Sequence, residues 1–124
     1  LPRLIDRMAA GNPAPNRRIP VLIGGGGEKK TLDYVSRYAD VWHSWWNDEW
    51  AHKNGVLEQW CATNGRDPGE IQRSVGVDTD NVDDWDALFA GLAEANVHEI
   101  TIGRGGPDYD LTELARFTDW RASL

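Results

Sequence analysis

The chain holds a single cysteine, Cys61, among 124 residues. No internal disulfide can form, and a reducing, cytoplasmic location is the expectation. Cys61 falls in an apolar pattern of helical spacing, which favours a packed thiol over a nucleophile. No stretch approaches the ~18 consecutive apolar residues of a membrane helix, and none reads as a secretory leader. Basic residues are outnumbered 13 to 20, for a formal net charge of −7. A nucleic acid or an anionic membrane is thereby disfavoured as partner. His52 and His98 have no metal-ligand spacing with another histidine, cysteine or acid. Asp78, Asp80, Asp83, Asp84 and Asp86 lack the pattern and closing glutamate of a calcium loop and read as a solvated turn plus a helix start. The dinucleotide fingerprint fails too: G-x-G-x-x-G begun at Gly24 or Gly25 needs a third glycine where Lys29 or Lys30 stands. The first residue is Leu1 rather than methionine, so a piece of a longer chain is expected.

What the chain does have is a short apolar run, Val21 to Ile23, that breaks into Gly24, Gly25, Gly26 and Gly27 and resumes with Leu32, Val35 and Ala39 at helical spacing. This is the pattern of a strand, a glycine turn and a helix. Without Cβ atoms the backbone can approach a ligand closely and offer several N–H groups, supplemented by the positive end of the helix dipole. An anion fits there. Lys29 and Lys30 strengthen the point, because cations in the first helical turn oppose the dipole unless something negative lies near. Thr31, placed one turn into the helix, adds a hydroxyl donor. The competing reading is a solvated turn that binds nothing. A nucleoside-triphosphate loop aligns at Gly24, Lys30 and Thr31, but Lys29 occupies the place of its last glycine.

Residues 1–18 form a lead-in in which Leu1 to Met8 suits a short helix, before Gly11, Pro13 and Pro15 interrupt. From 19 to 124 the chain is one domain that repeats a strand and a helix four times. The strands are placed at 21–23, 41–45, 71–78 and 98–102. Between the second and third, a helix capped by Asn47 carries Trp50, Leu57, Trp60 and Cys61 and ends at Asn64-Gly65. Asp67-Pro68-Gly69-Glu70 then makes one short turn, with Asp67 as cap and Glu70 reaching back. The third helix spans about 82 to 95 with Trp85, Leu88, Phe89 and Leu92 inward. The last is capped by Asp110. Such alternation predicts parallel strands joined by right-handed crossovers. Four such units make half of an eight-unit barrel of about 250 residues, although an open doubly wound sheet is built from the same units.

Ile19 to Leu32, followed by Ser36-Arg37-Tyr38-Ala39-Asp40-Val41-Trp42, resembles the stretch that opens the second half of the luciferase-like monooxygenase family, in particular the branch using the deazaflavin coenzyme F-420. Asn64 to Ile71 is similar to that family's connection into its next strand. The likeness covers about residues 15 to 103, and the glycine run with its downstream Ala-Asp-x-Trp is its most specific part. The resemblance implies a (βα)4 half of a TIM (β/α)8 barrel with helices on the outer face. Gly24, Gly25, Gly26, Gly27 and Thr31 would lie at the cofactor phosphate. It implies hydride transfer between F-420, or FMN as the alternative, and a small organic substrate, or reaction of the reduced flavin with oxygen. The family places asparagine where this chain has His43. Its first four strands, with most of its catalytic side chains, have no counterpart here. A homo-oligomer, or pairing with a separate N-terminal half-barrel, follows as the expected way to close eight strands. The alternative is a phosphate-ligand binding or assembly module derived from such a barrel, without chemistry.

His43, expected at a strand end, is a candidate to face the flavin or else a hydrogen-bonded structural histidine. Trp42, Trp45 and Trp46 either wall an aromatic pocket or fill the barrel or its helix interface. Lys29, Lys30 and Arg104 are further candidates for anionic groups of a cofactor; Arg104, the one cation of the loop after the fourth strand, either meets a second such group or is simply solvated.

Overall fold

A computed structural model describes residues 1–103, 105 and 111–124. Four strands, β1 (Leu22–Gly24), β2 (Val41–Trp45), β3 (Gln72–Asp78) and β4 (Glu99–Gly103), form one parallel sheet in sequential order. The helices are α1 (Pro2–Ala9), α2 (Thr31–Tyr38), α3 (Trp50–Asn64), α4 (Trp85–Glu94) and α5 (Thr112–Ala122). The sequential order departs from a doubly wound sheet, whose strand order reverses partway.

The register separates two faces. Ile23, Trp42, Arg73, Val75, Val77, Ile100 and Ile102 point to one side. There all but Arg73 join one cluster with Leu32, Val35 and Ala39, with Trp50, Leu57 and Cys61, with Leu88 and Leu92, and with Phe117. Helices α2 to α5 therefore cover the same face. Leu32, Leu57 and Leu92 are fully buried or nearly so, each worth about 1.5–3 kcal/mol. Leu22, His43, Trp45, Gln72, Glu99 and Thr101 occupy the opposite face. Trp45 is 60% exposed and Leu22 53%. One apolar face and one open, mixed face is an arrangement compatible with half of a closed barrel.

Aromatic contacts fix the layer between sheet and helices. Trp42 stacks on Trp50 at 5.8 Å, and Trp46 tilts against the same ring at 5.0 Å. Further along, Phe89 stacks on Trp120 at 4.9 Å and meets Phe117 edge-on. Of the three tryptophans expected near the second strand, Trp42 and Trp46 fill the helix interface while Trp45 lies on the open face.

Several expected boundaries shift. α3 begins at Trp50, not after Asn47, because Asn47 makes its own turn: its side-chain oxygen accepts from Glu49 N–H and its carbonyl from Trp50 N–H. Gly65 ends α3 in the left-handed conformation, φ 68°, as its position suggests. Asp67 caps the turn at Pro68–Glu70 through Gly69 N–H, but the Glu70 carboxylate pairs with Arg66 instead of reaching back. α4 starts at Trp85, three residues later than expected, because Asp78 first closes a separate short turn at Thr79–Asn81 and Asp84 then caps the helix through Ala87 N–H. Leu111 holds the cap position of α5; Asp110, expected there, lies outside the described residues.

Candidate functional site

The glycine bend leaves the carboxyl end of β1, the edge of a parallel sheet where ligands gather. Gly25 sits at φ 112°, a conformation only glycine adopts without strain. Its N–H donates to His43 O at 2.9 Å and its carbonyl accepts from Trp42 Nε1 at 2.8 Å. Upstream, Asp40 Oδ2 accepts from Val21 N–H at 2.7 Å. Asp40 and Trp42 of the Ala-Asp-x-Trp stretch thus brace the strand and the bend before them. On the far side, Trp60 Nε1 donates to Glu28 O at 2.7 Å and Leu32 N–H to Gly27 O at 3.0 Å.

The bend is held chiefly by its carbonyls. Among the described residues, no hydrogen bond is donated by the backbone N–H of Gly26, Gly27, Glu28, Lys29, Lys30 or Thr31. These residues, with Glu49 and Lys53, line an open cleft of about 620 Å³. Thr31 is the first residue of α2 rather than one turn into it, since residues 28–30 form a turn and Lys30 takes the cap position. Lys29 and Lys30 accordingly precede the helix. The Thr31 hydroxyl lies close over Gly27, where a Cβ would come within 2.8 Å of Oγ1.

Lys53, which the sequence pattern does not single out, reaches this cleft from α3. A Cβ on Gly26 would lie 2.7 Å from Lys53 Cδ and 3.2 Å from its Nζ. Lys53 Nζ pairs with Glu49 Oε2 at 2.6 Å, and that bond holds the Glu49 carboxyl below its ordinary range. Three lysines face two glutamates, so the cleft carries a small positive excess. Its only sequence trace is the i, i+4 spacing of Glu49 and Lys53, which pairs them without placing them over the bend.

His43 is the third of five residues in β2, not its end, because the ladder continues through Ser44 and Trp45 to Val75 and Gly76. It lies on the open face in a row that crosses all four strands: Gly24, His43, Ser74, Glu99. His43 Nδ1 is 2.8 Å from Ser74 Oγ, which donates to Glu99 Oε1 at 3.3 Å. Ser74 is 1% exposed. Neither Ser74 nor Glu99 stands out in the sequence, since only the register joins them to His43.

The remaining candidates lie elsewhere. Arg104 lies outside the described residues. His52 pairs with Glu28 at 3.2 Å, and His98 Nδ1 accepts from Arg73 N–H. Cys61 is buried, and burial pushes its thiol pKa up, against the opposing pull of Arg73 and Arg66. Among the described residues no cluster of three histidines, cysteines or acids could hold a metal, and no helix is long and apolar enough to cross a membrane. No family model matches the chain, and no curated protein matches it.

Proposed function

We propose that the chain is the cofactor-phosphate half of a flavin- or deazaflavin-dependent oxidoreductase of the luciferase-like kind, completed into a barrel by a second copy or by a separate N-terminal half. The observation that carries this reading is the set of uncommitted N–H groups from Gly26 to Thr31 beside Lys29, Lys30 and Lys53. Unpaired donors, a helix start and a cationic excess together suit a phosphoryl group. The donor set fits the phosphate of FMN or of F-420 alike. Gly26, Gly27 and Thr31 would hold that phosphate by backbone and hydroxyl donors, and Lys53 would turn to it from Glu49. The bound coenzyme would supply hydride chemistry; this chain would position its tail at the carboxyl edge of the sheet.

A second reading, a phosphate-ligand binding or assembly module without chemistry, draws on a specific contrast. The residues lining the cleft all fall between Gly26 and Lys53, whereas the adjoining face around His43 lies open.

Fluorescence titration of the full chain with FMN and with F-420 tests the binding claim. Lys53→Ala should weaken the better ligand about tenfold, the worth of one charge-assisted contact. Unchanged affinity would remove Lys53 from the site, and no binding of either coenzyme would overturn the proposal. A hydride-transfer assay on the completed assembly then separates the enzyme from the inert module.

A further inference from the structure

Beyond the phosphate cleft, the open sheet face carries a polar row that packing does not explain. Gly24, His43, Ser74 and Glu99 are neighbours in register across β1 to β4. Helices α2 to α5 pack on the other face, and His43 is half-buried rather than enclosed. Ser74 brings one hydroxyl proton. With that proton donated to Glu99 Oε1 at 3.3 Å, the 2.8 Å contact to His43 requires Nδ1–H as donor and Ser74 Oγ as acceptor. His43 Nε2 is then left with a bare lone pair. On the β1 side Gly24 offers no side chain. A Cβ there would meet nothing nearer than His43 O at 3.9 Å, which leaves room beside the imidazole at the strand that feeds the phosphate cleft.

We propose that this row is a proton-accepting site, with His43 Nε2 as the general base for an O–H or N–H donor of the bound ligand and with Ser74 and Glu99 as positioning residues. In the step, the ligand's O–H or N–H bond breaks, its electron pair stays on the heteroatom, and the proton ends on Nε2. The inference rests on the reading above for the ligand's identity, but not for the arrangement of the row. Among the groups in the row Glu99 is the charged one; β1 contributes Gly24 and β3 contributes Ser74. Asp78 lies on the same face four residues further along β3.

The test is ¹⁵N NMR of the imidazoles in the full chain, free of any coenzyme, with His52 and His98 as internal references. The expected result is neutral His43 carrying its proton on Nδ1. Ser74→Ala should move part of that population to the Nε2–H tautomer. Glu99→Ala removes the acceptor of the Ser74 proton, frees that proton for Nδ1, and should likewise raise the Nε2–H population of His43, with the other two imidazoles unmoved. A proton on Nε2 in the parent chain, or a His43 tautomer indifferent to both substitutions, would overturn the proposal. Failure of FMN and F-420 to bind would defeat the cofactor reading while leaving this spectrum to decide the row separately.

Discussion

Asp40 is held by two partners that the sequence places far from it, Val21 N–H at 2.7 Å and the Arg18 guanidinium at 2.7 Å. Burial pushes its carboxyl up, and the Val21 bond and Arg18 outweigh that push, so its pKa lies below the ordinary value. The folded pKa being the lower one, the stabilisation is complete above the unfolded value of ~3.9 and is lost as pH falls through the folded value. Asp40→Asn should therefore flatten the acid limb of the stability curve below about pH 4, measured by urea unfolding at stepped pH. A limb as steep as the parent's would show that Asp40 contributes nothing there. Gly25 makes a different demand on its residue. At φ 112° an alanine costs about 1–3 kcal/mol, whereas Gly26→Ala meets only the flexible end of Lys53. Gly25→Ala should shift the urea midpoint markedly and Gly26→Ala should not. Gly26→Ala is thus the cleaner probe of phosphate binding, because changes at Gly25 disturb the fold as well and a Cβ at Gly27 presses on the Thr31 hydroxyl.

α3 owes its position to both of its ends and its middle. Near its C-terminus Asn64 Nδ2 donates to Asp33 Oδ1 and Ser36 Oγ, tying it to α2. Midway, Asn54 Oδ1 accepts from Arg73 Nε at 2.9 Å. Arg73 is 8% exposed and also donates to the carbonyls of Pro68 and Ile71. Burial lowers its pKa from the usual value, while Glu58 opposes that shift. The guanidinium thereby joins the start of β3, the Pro68–Glu70 turn and α3. Arg73→Ala strands those acceptors and should cost about 2–4 kcal/mol in chemical unfolding. A loss under about 0.5 kcal/mol, the range of an ordinary surface site, would mean that water replaces the guanidinium freely. At its start α3 presents Trp50 between Trp42 and Trp46. Trp50 Nε1 is buried without a partner among the described residues, a cost that the stacked rings offset. Cys61 of the same helix should stay unlabelled by a thiol reagent in the native protein and react only on unfolding. Rapid native labelling would contradict a packed α3.

At the size of the whole molecule, the sheet has two edges, β1 and β4, unpaired among the described residues, and a face bearing Trp45 and Leu22 in the open. Unpaired edges and exposed apolar groups favour association. Parallel strands in sequential order can be continued at β4 by the β1 of a second copy, and the same contact on the other side closes the ring. Light scattering on a size-exclusion column should therefore give twice 13.9 kDa or a concentration-dependent average. A stable species at 13.9 kDa at low micromolar concentration would argue against pairing with a second copy.

The local features were legible from residues alone: alternating strands and helices, the caps at Asp67 and Gly65, the buried Cys61, and the glycine bend between β1 and α2. Each depends on neighbours within a few positions, where spacing and side-chain chemistry act directly. The Ala-Asp-x-Trp stretch was visible as letters, but its work of bracing Val21 and Gly25 appeared only once β2 lay beside β1. Lys53 over Gly26, and the row from Gly24 to Glu99, join residues separated by tens of positions. Such encounters depend on strand register and on how a helix settles across the sheet. Those are properties of the packed layers, to which no short stretch of the chain commits in advance.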